Sequence, residues 1–170
     1  MKNILKILGL PVMVLAFGIT VVGCDLLFPE EEDIVKYSEN GHSYQTIDQA
    51  KSWTDAKKYC ETNGGYLVTI TDANEQAFVE GLLRKNGSKR VYWIGGYRDG
   101  NTWKWVTNEP WNYTNWGPVS PNNYSGNENE LYIIGQQYTW DGSYLYNIGH
   151  WDDGDSNATS DCGFIIEWDK

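Results

Sequence analysis

The chain has 170 residues, with 13 Lys and Arg against 23 Asp and Glu, and a formal net charge of −10. A surface of that charge repels polyanions, so nucleic acid is disfavoured as a partner. Hydrophobic residues make up 41% of the chain and aromatic residues 15%, which excludes intrinsic disorder and is enough for one folded domain. The aromatic content exceeds what a core needs, so we expect some Trp and Tyr rings to serve recognition at the surface.

Residues 1–23 have the pattern of a secretory signal peptide. Lys2 and Lys6 form a positive start, and an apolar stretch covers 7–22. The stretch leads directly to Cys24 and resembles the lipobox of bacterial lipoproteins. The sequence therefore predicts export, acylation of Cys24 and anchoring to a bacterial membrane through the lipid chains. The alternative is a retained transmembrane helix, for which the apolar run is short.

Residues 24–40 are predicted to be a lipidated acidic tether. Pro29 and the acidic run 30–33 resist packing, so this segment would hold the domain away from the membrane. The alternative for its second half is a strand over 33–37. The folded domain itself is predicted to cover 41–170.

Two helices are predicted after a first strand at 42–47. The first helix shows one apolar face at helical spacing, formed by Trp53, Ala56, Tyr59 and Cys60. The second is predicted over 73–86, with an apolar stripe of Ala77, Phe78, Leu82 and Leu83.

The rest of the chain has the pattern of short strands and long loops. The predicted strands are 66–70, 91–95, 102–106, 131–134, 149–151 and 163–168, with a hairpin at 138–146. Residues 107–129 are rich in Asn, contain three prolines and show little periodicity. A loop of that length inside a compact domain is usually functional. Helices followed by strands indicate an α+β fold.

The order and spacing of several motifs resemble a C-type lectin-like domain, in its bacterial form, over nearly all of 42–168. The motifs include W-x-x-A-x-x-Y-C at 53–60, W-I-G-G at 93–96, W-x-W at 103–105 and W-D-D at 151–153. The resemblance implies a looped antiparallel double sheet with two flanking helices and a long loop region. Buried positions in such a fold are expected for Leu67, Trp93, Trp103 and Trp105.

Five polar residues fall where the resemblance implies ligands for calcium and for sugar hydroxyls; they are Ser120, Asn122, Glu128, Asp152 and Asp153. Pro121 matches a proline that is cis in the family. Calcium prefers oxygen ligands, so the resemblance implies a calcium site formed by Asn122, Glu128, Asp152 and Asp153. At position 120, sugar-binding members of the family have Glu or Gln, and the shorter, uncharged Ser120 weakens or removes that ligand. Calcium binding is therefore left open by the sequence.

Aromatic side chains alternate along both arms of the predicted hairpin; they are Tyr138, Trp140, Tyr144 and Tyr146. Alternation with period two places all four on one face. One interpretation is that these rings stabilise the hairpin or pack it onto the domain. The other is an aromatic platform that stacks against a sugar ring or a partner's side chain.

With Cys24 acylated, Cys60 and Cys162 remain. The resemblance pairs the cysteine at position 60 with one at the place of Ile166. Cys162 lies earlier in the same strand, about 13 Å away if the strand is extended, so we expect no disulfide between the two.

The sequence indicates a binding module and not an enzyme. No Ser-His or Cys-His constellation has a recognisable context, and the neighbouring carboxylates of Asp152 and Asp153 are expected to point to opposite faces of a strand. The first hypothesis is carbohydrate binding assisted by calcium. The alternative is metal-independent protein binding, as an adhesin or envelope interaction domain, through 107–129 and the aromatic hairpin.

Overall fold

The computed structural model describes residues 33–158 and 161–169. The predicted signal peptide, Cys24 and the first part of the tether lie outside the described residues. Within the described ranges, neither helix has the length and apolar character that a membrane span requires.

Helix α1 covers Trp53–Thr62. It begins at Ser52, whose hydroxyl accepts a hydrogen bond from the backbone N–H of Asp55, as an N-cap does. The predicted apolar face is confirmed, since Trp53, Ala56 and Cys60 are buried. The Trp53 indole also donates to the carbonyl oxygen of Ile94 at 2.9 Å, which fixes α1 against the sheet.

Helix α2 covers Ala73–Asn86, and Asp72 caps it by accepting from two backbone N–H groups of the first turn. Leu82 and Leu83 are buried as predicted, but Ala77 is exposed and Val79 is buried in its place. The buried face is rotated because the helix also buries polar side chains that find partners in the fold.

The buried polar residue Gln76 joins α2 to the far end of the sheet. Its side-chain N–H donates to the carbonyl of Gly149 at 2.9 Å, and its side-chain oxygen accepts from the Trp151 indole at 2.9 Å. A buried amide with both ends satisfied costs little free energy and specifies one docking position for the helix.

Within residues 33–158 and 161–169, ten strands accompany the helices: β1 Val35–Lys36, β2 Ser43–Ile47, β3 Tyr66–Leu67, β4 Val91–Asp99, β5 Thr102–Trp105, β6 Glu128–Ile134, β7 Tyr138–Trp140, β8 Tyr144–Tyr146, β9 Trp151–Asp155 and β10 Cys162–Trp168. The main sheet has the order β1-β2-β10-β4-β6-β9, with β3 added to β10 and β5 to β4. Strands β7 and β8 form a separate hairpin.

The main sheet is antiparallel, as the expected α+β fold requires, except at one pairing. Strand β10 runs parallel to β4, whereas its pairings with β2 and β3 are antiparallel. From Cys162 to Glu167 every residue of β10 is buried, as expected for a central strand covered on both faces.

Strand β1 lies inside the segment predicted as a tether. Val35 pairs with Tyr44 and Lys36 with Ser43, so the sheet begins before residue 41. For the second half of 24–40, the structure therefore shows the alternative prediction, an N-terminal strand added to the sheet, and not a free tether.

The core is aromatic. Leu67, Trp93 and Trp105 are fully buried as expected, while Trp103 is half-buried. Residues 106–127, called the long loop below, pack onto this core. The Trp111 ring lies 4.5 Å from that of Trp105, measured between centroids.

The two cysteines of the domain are buried thiols. Burial raises the pKa of the Cys60 thiol well above its ordinary value and that of Cys162 to about 11. Both groups are therefore protonated and poorly reactive at neutral pH.

A second polar cluster is buried at the other end of the sheet, between β2, β10 and α2. The Tyr44 hydroxyl donates to Glu75 at 2.6 Å and lies 3.1 Å from an oxygen of Glu167. Glu167 also contacts His42 Nδ1 at 2.7 Å and accepts from the backbone N–H of Thr69. Burial raises the pKa of Glu167 to about 7.

Candidate functional site

The long loop carries the predicted ligand tripeptide. The peptide bond between Ser120 and Pro121 is cis, as the resemblance implied. Asn123 and Gly126 have positive φ values of 47° and 84°, so the chain turns sharply before it enters β6 at Glu128.

Asp153 on β9 fixes the middle of the loop. Its Oδ1 accepts from the backbone N–H of Asn122 at 2.8 Å, and its Oδ2 accepts from that of Asn123 at 2.7 Å. The carboxylate is buried, so these charge-assisted bonds stabilise it in place of water.

Glu128 closes the same turn from the start of β6. Its Oε2 accepts from the backbone N–H of Tyr124, which also donates to the side-chain oxygen of Asn122 at 2.8 Å. The Glu128 backbone N–H donates to the side-chain oxygen of Asn123 at 2.9 Å. Loop and strand are therefore joined by hydrogen bonds in both directions.

Asp152 is buried beside a serine and a tyrosine. Ser120 Oγ donates to its Oδ1, and the Tyr132 hydroxyl donates to its Oδ2 at 3.0 Å. Burial raises the pKa of the Asp152 carboxyl to about 6, and both donors act in the opposite direction by favouring the ionised form.

Ser120 also contacts the aromatic hairpin, since its hydroxyl lies 2.8 Å from that of Tyr146. The Tyr146 ring is buried against Gly117, where an added Cβ would lie only 2.2 Å from a ring carbon. Because Gly117 has no side chain, the Tyr146 ring of the hairpin packs directly against the long loop.

The hairpin β7–β8 places its four rings on one face, as predicted. Tyr138 pairs with Tyr146 and Trp140 with Tyr144. The first pair is stacked, with centroids 5.2 Å apart, and packs toward the domain. Trp140 and Tyr144 are 37% and 40% exposed. The inner pair thus matches the interpretation that the rings pack onto the domain, and the outer pair is accessible as the platform interpretation requires.

A pocket of about 100 Å³ lies between the hairpin and the long loop. Its polar lining is formed by Asn122, Glu128, Asp152 and Asp153, and its aromatic lining by Tyr124, Tyr132, Tyr138, Trp140 and Tyr146. The structure thus brings the predicted polar set and most of the predicted platform together. Ser120 supports the pocket through Asp152, and Tyr144 supports it through Trp140, 6.0 Å away between centroids.

Three features of the pocket differ from what the sequence predicts. Asp152 and Asp153 both line the pocket, so the expectation that they face opposite sides was wrong. Both carboxylates contact the long loop, Asp152 through Ser120 and Asp153 through the backbone N–H groups of Asn122 and Asn123. Tyr124 and Tyr132 were not foreseen. Cross-strand pairing of Tyr132 with Asp152 would have indicated the latter, had the register of β6 been known.

The donor set has the chemistry of a calcium site, but its arrangement does not fit one. Both oxygens of Asp153 and Oε2 of Glu128 face backbone N–H groups, whose positive ends occupy the approach of a cation. Among the described residues, no three His, Cys, Asp or Glu side chains are grouped as a metal site requires. Calcium coordination by this set would require these hydrogen bonds to break, so the arrangement argues against the calcium site that the resemblance implied.

Residues 49–144 match the family model described as "Lectin C-type domain". A perlucin-like protein of Mytilus galloprovincialis is 32% identical over 109 residues, which are 62% of this chain and 69% of that protein. By contrast, the chain spans 29% and 33% of two mammalian C-type lectin domain family proteins.

Many solved structures share the fold, and two of them illustrate the likeness at 25% and 26% identity. A cow CD23 carbohydrate-recognition domain, determined in the presence of the oligosaccharide GlcNAc2Man3, is 25% identical with a TM-score of 0.65 and covers 84% of this chain and 97% of its own. The lectin SPL-2 from Saxidomus purpuratus, described as Ca²⁺-independent, is 26% identical with a TM-score of 0.66 and covers 81% of this chain and 92% of its own.

Proposed function

This chain belongs to the C-type lectin domain family, and we propose that it is a non-enzymatic module that binds a carbohydrate in the pocket between the long loop and the hairpin β7–β8. The observation that carries the proposal is the pairing of an exposed aromatic rim with a hydrogen-bonding floor. Trp140 offers a ring face to the C–H face of a sugar, and Asp152 and Glu128 offer acceptors to its hydroxyls.

We propose that this binding does not require calcium. The loop is held by its own backbone N–H groups, which donate to the carboxylates of Asp153 and Glu128, and by the Ser120 hydroxyl, which donates to Asp152. These bonds position the loop as a metal would. SPL-2 is a relative in fold that is described as calcium-independent, which supports the proposal.

A glycan array probed with the full chain, once with calcium and once with chelator, tests both statements. We expect the same glycans to bind in both conditions. Trp140→Ala should reduce binding by about tenfold, since losing a ring that stacks on a ligand costs on the order of 1 kcal/mol. Leu145→Ala, on the other face of the same hairpin, is the matched control. A blank array in both conditions contradicts carbohydrate binding, and binding with calcium alone contradicts metal independence.

The calcium hypothesis has a sharper test in Ser120→Glu. A carboxylate at this position meets Asp152 and displaces the contact with Tyr146, so without calcium we expect a lower melting temperature than in wild type. If Asn122, Glu128, Asp152 and Asp153 can hold calcium, the added ligand should make melting calcium-dependent. Thermal melts of both proteins with and without calcium decide the point, and a calcium-dependent rise in wild type itself would restore the metal-assisted hypothesis.

Protein recognition is the second candidate function. It is favoured by Tyr124, which is 78% exposed at the pocket mouth, and by Leu145, which is exposed on the opposite face of the hairpin. Binding of a protein partner would be sensitive to Leu145→Ala, whereas sugar binding in the pocket would not.

We propose that in either case the domain acts outside the cytoplasm, anchored to a bacterial membrane through acylated Cys24.

A further inference from the structure

We propose that the pocket selects glycans that carry a free ammonium group, as an unacetylated amino sugar does. This inference rests on the proposed carbohydrate function and specifies the ligand class of the same site. Three properties of the pocket favour such a ligand: its negative charge, its aromatic walls and a set of acceptors that suits an ammonium group better than calcium.

The charge of the pocket is negative and is not neutralised by its own lining. Glu128, Asp152 and Asp153 line it, and none of its lining residues is Lys, Arg or His. In the described part of the chain, no ion pair involves any of the three carboxylates. A neutral sugar would leave this charge uncompensated, whereas a ligand cation would reduce the repulsion among the three groups.

The aromatic walls favour the same kind of ligand. The faces of Trp and Tyr rings attract cations because of the ring quadrupole. Trp140 and Tyr124 meet at the mouth, with centroids 5.8 Å apart and planes 83° from parallel, so a ligand there meets one ring face and one ring edge. The guanidinium of Arg90 lies over the ring of Tyr138, 5.7 Å from its centroid, which shows that the hairpin already accepts one cation on its rings.

An ammonium group fits where calcium does not. Calcium needs six to eight oxygens at 2.3–2.6 Å, but loop amides already donate to both oxygens of Asp153 and to one of Glu128, and hydroxyl groups donate to both oxygens of Asp152. An ammonium group has three donors and is satisfied by one or two acceptors together with ring faces. Glu128 supplies an acceptor, because in the described residues its Oε1 takes part in no hydrogen bond while Oε2 holds the loop.

The experiment compares two oligosaccharides that differ at the nitrogen. The full chain, in mild detergent, is titrated calorimetrically with a glucosamine trimer in its ammonium form and with the N-acetylated trimer of the same linkage. We expect the ammonium form to bind about tenfold more tightly, since a partly desolvated cation on an aromatic face adds roughly 1–2 kcal/mol. The preference should shrink as salt is raised.

Two variants assign the preference to the pocket. Glu128→Gln keeps an oxygen for the Tyr124 N–H but removes the charge, so the preference for the ammonium form should fall to about twofold or less. Glu61→Gln removes an exposed carboxylate on α1 and should leave the preference unchanged.

The outcomes separate this inference from the proposed function. Equal affinity for both trimers, or tighter binding of the acetylated one, overturns the ammonium preference and leaves carbohydrate binding standing. A preference that survives Glu128→Gln also overturns it, because the charge must then act elsewhere. If neither trimer binds and the glycan array is blank, the proposed function fails together with the inference.

Discussion

Ser120 joins three parts of the pocket through one hydroxyl. It donates to Asp152 on β9 and lies within hydrogen-bond distance of Tyr146 on β8, while its own peptide bond to Pro121 is the cis bond of the long loop. The serine hydroxyl therefore satisfies a buried carboxylate from within the chain.

The first prediction concerns the acidity of Asp152. Ser120→Ala removes a donor that favours the ionised carboxylate, so the pKa of Asp152 should rise above its value of about 6. Carbon-detected NMR titration of the aspartate side chains measures it. Ser143→Ala, in the exposed turn of the hairpin, serves as the control and should leave the titration where it is. An unchanged pKa in Ser120→Ala would show that the hydroxyl does not donate to this group.

At the scale of elements, the hairpin β7–β8 is the part of the fold that gives this pocket its character. Its inner pair, Tyr138 and Tyr146, is packed against the domain, and its outer pair, Trp140 and Tyr144, reaches solvent. The close packing of Tyr146 on Gly117 determines how near the inner pair lies to the long loop. It thereby also determines the position of Trp140 and Tyr144 relative to the polar lining of the pocket.

The second prediction tests the close packing of the Tyr146 ring on Gly117. In Gly117→Ala the new methyl group would meet the Tyr146 ring, so the hairpin must shift outward. We expect a loss of about 1–3 kcal/mol in stability and weaker glycan binding. In Gly81→Ala, within α2, an added Cβ meets nothing within 4 Å, so the helix should instead gain roughly 0.5–1 kcal/mol. Chemical denaturation of both variants gives the comparison, and equal stabilities would contradict the close approach at Gly117.

Local patterns predicted the elements well where neighbours in sequence determine them. Helix α2 has the predicted bounds of 73–86, and the hairpin lies within the predicted range 138–146 with its four rings on one face, because alternation specifies both. Strand β3 was expected to run to residue 70 but ends at Leu67. The backbone N–H of Val68 donates to the carbonyl of Ile165, while its carbonyl accepts from the N–H of Gly95. Such changes of partner depend on the packing of distant strands.

The site was predictable as a set of residues but not as a set of bonds. Spacing within the family pattern brought Asn122, Glu128, Asp152 and Asp153 to one pocket. The burial of Gln76 on α2 was not foreseen, because its partners Gly149 and Trp151 are more than seventy residues away in sequence. Every residue type except proline has a backbone N–H, so a sequence does not indicate which of them donate to a carboxylate. That loop N–H groups bind Asp153 and Glu128 is therefore known only from the structure.

At the scale of the whole molecule, the third prediction concerns anchoring. The sequence predicts that Cys24 is acylated, and this residue lies outside the described part of the chain. Cys24→Ala should therefore abolish incorporation of a labelled fatty acid and shift the protein from the membrane to soluble fractions, or leave it unprocessed. Cys162→Ala is the matched control, since it removes a thiol of the folded domain. Equal label in wild type and Cys24→Ala would rule out the lipoprotein hypothesis.

The fourth prediction concerns the pH dependence of stability, for which Glu167 is the main buried acid away from the pocket. Burial raises its pKa from an ordinary value of 4.5 to about 7, and Glu75 adds to this by repulsion, while the Thr69 N–H and His42 act in the opposite direction. A raised pKa means that the native state binds this proton more tightly than the unfolded chain does. Its contribution to stability is therefore fully present below about pH 4.5 and is lost as the pH rises through about 7.

The variant Glu167→Gln isolates that contribution. The amide oxygen can still accept from the Thr69 N–H, and the new N–H₂ group faces His42 and Tyr44, so the packing is retained. Since each pKa unit corresponds to 1.36 kcal/mol, wild type should lose on the order of 1–3 kcal/mol relative to the variant between pH 5 and pH 8. Thermal melts across that range, with the exposed Glu61→Gln as a control that follows wild type, provide the measurement. Parallel curves for wild type and Glu167→Gln would mean that the folded domain does not hold this carboxyl in its protonated form.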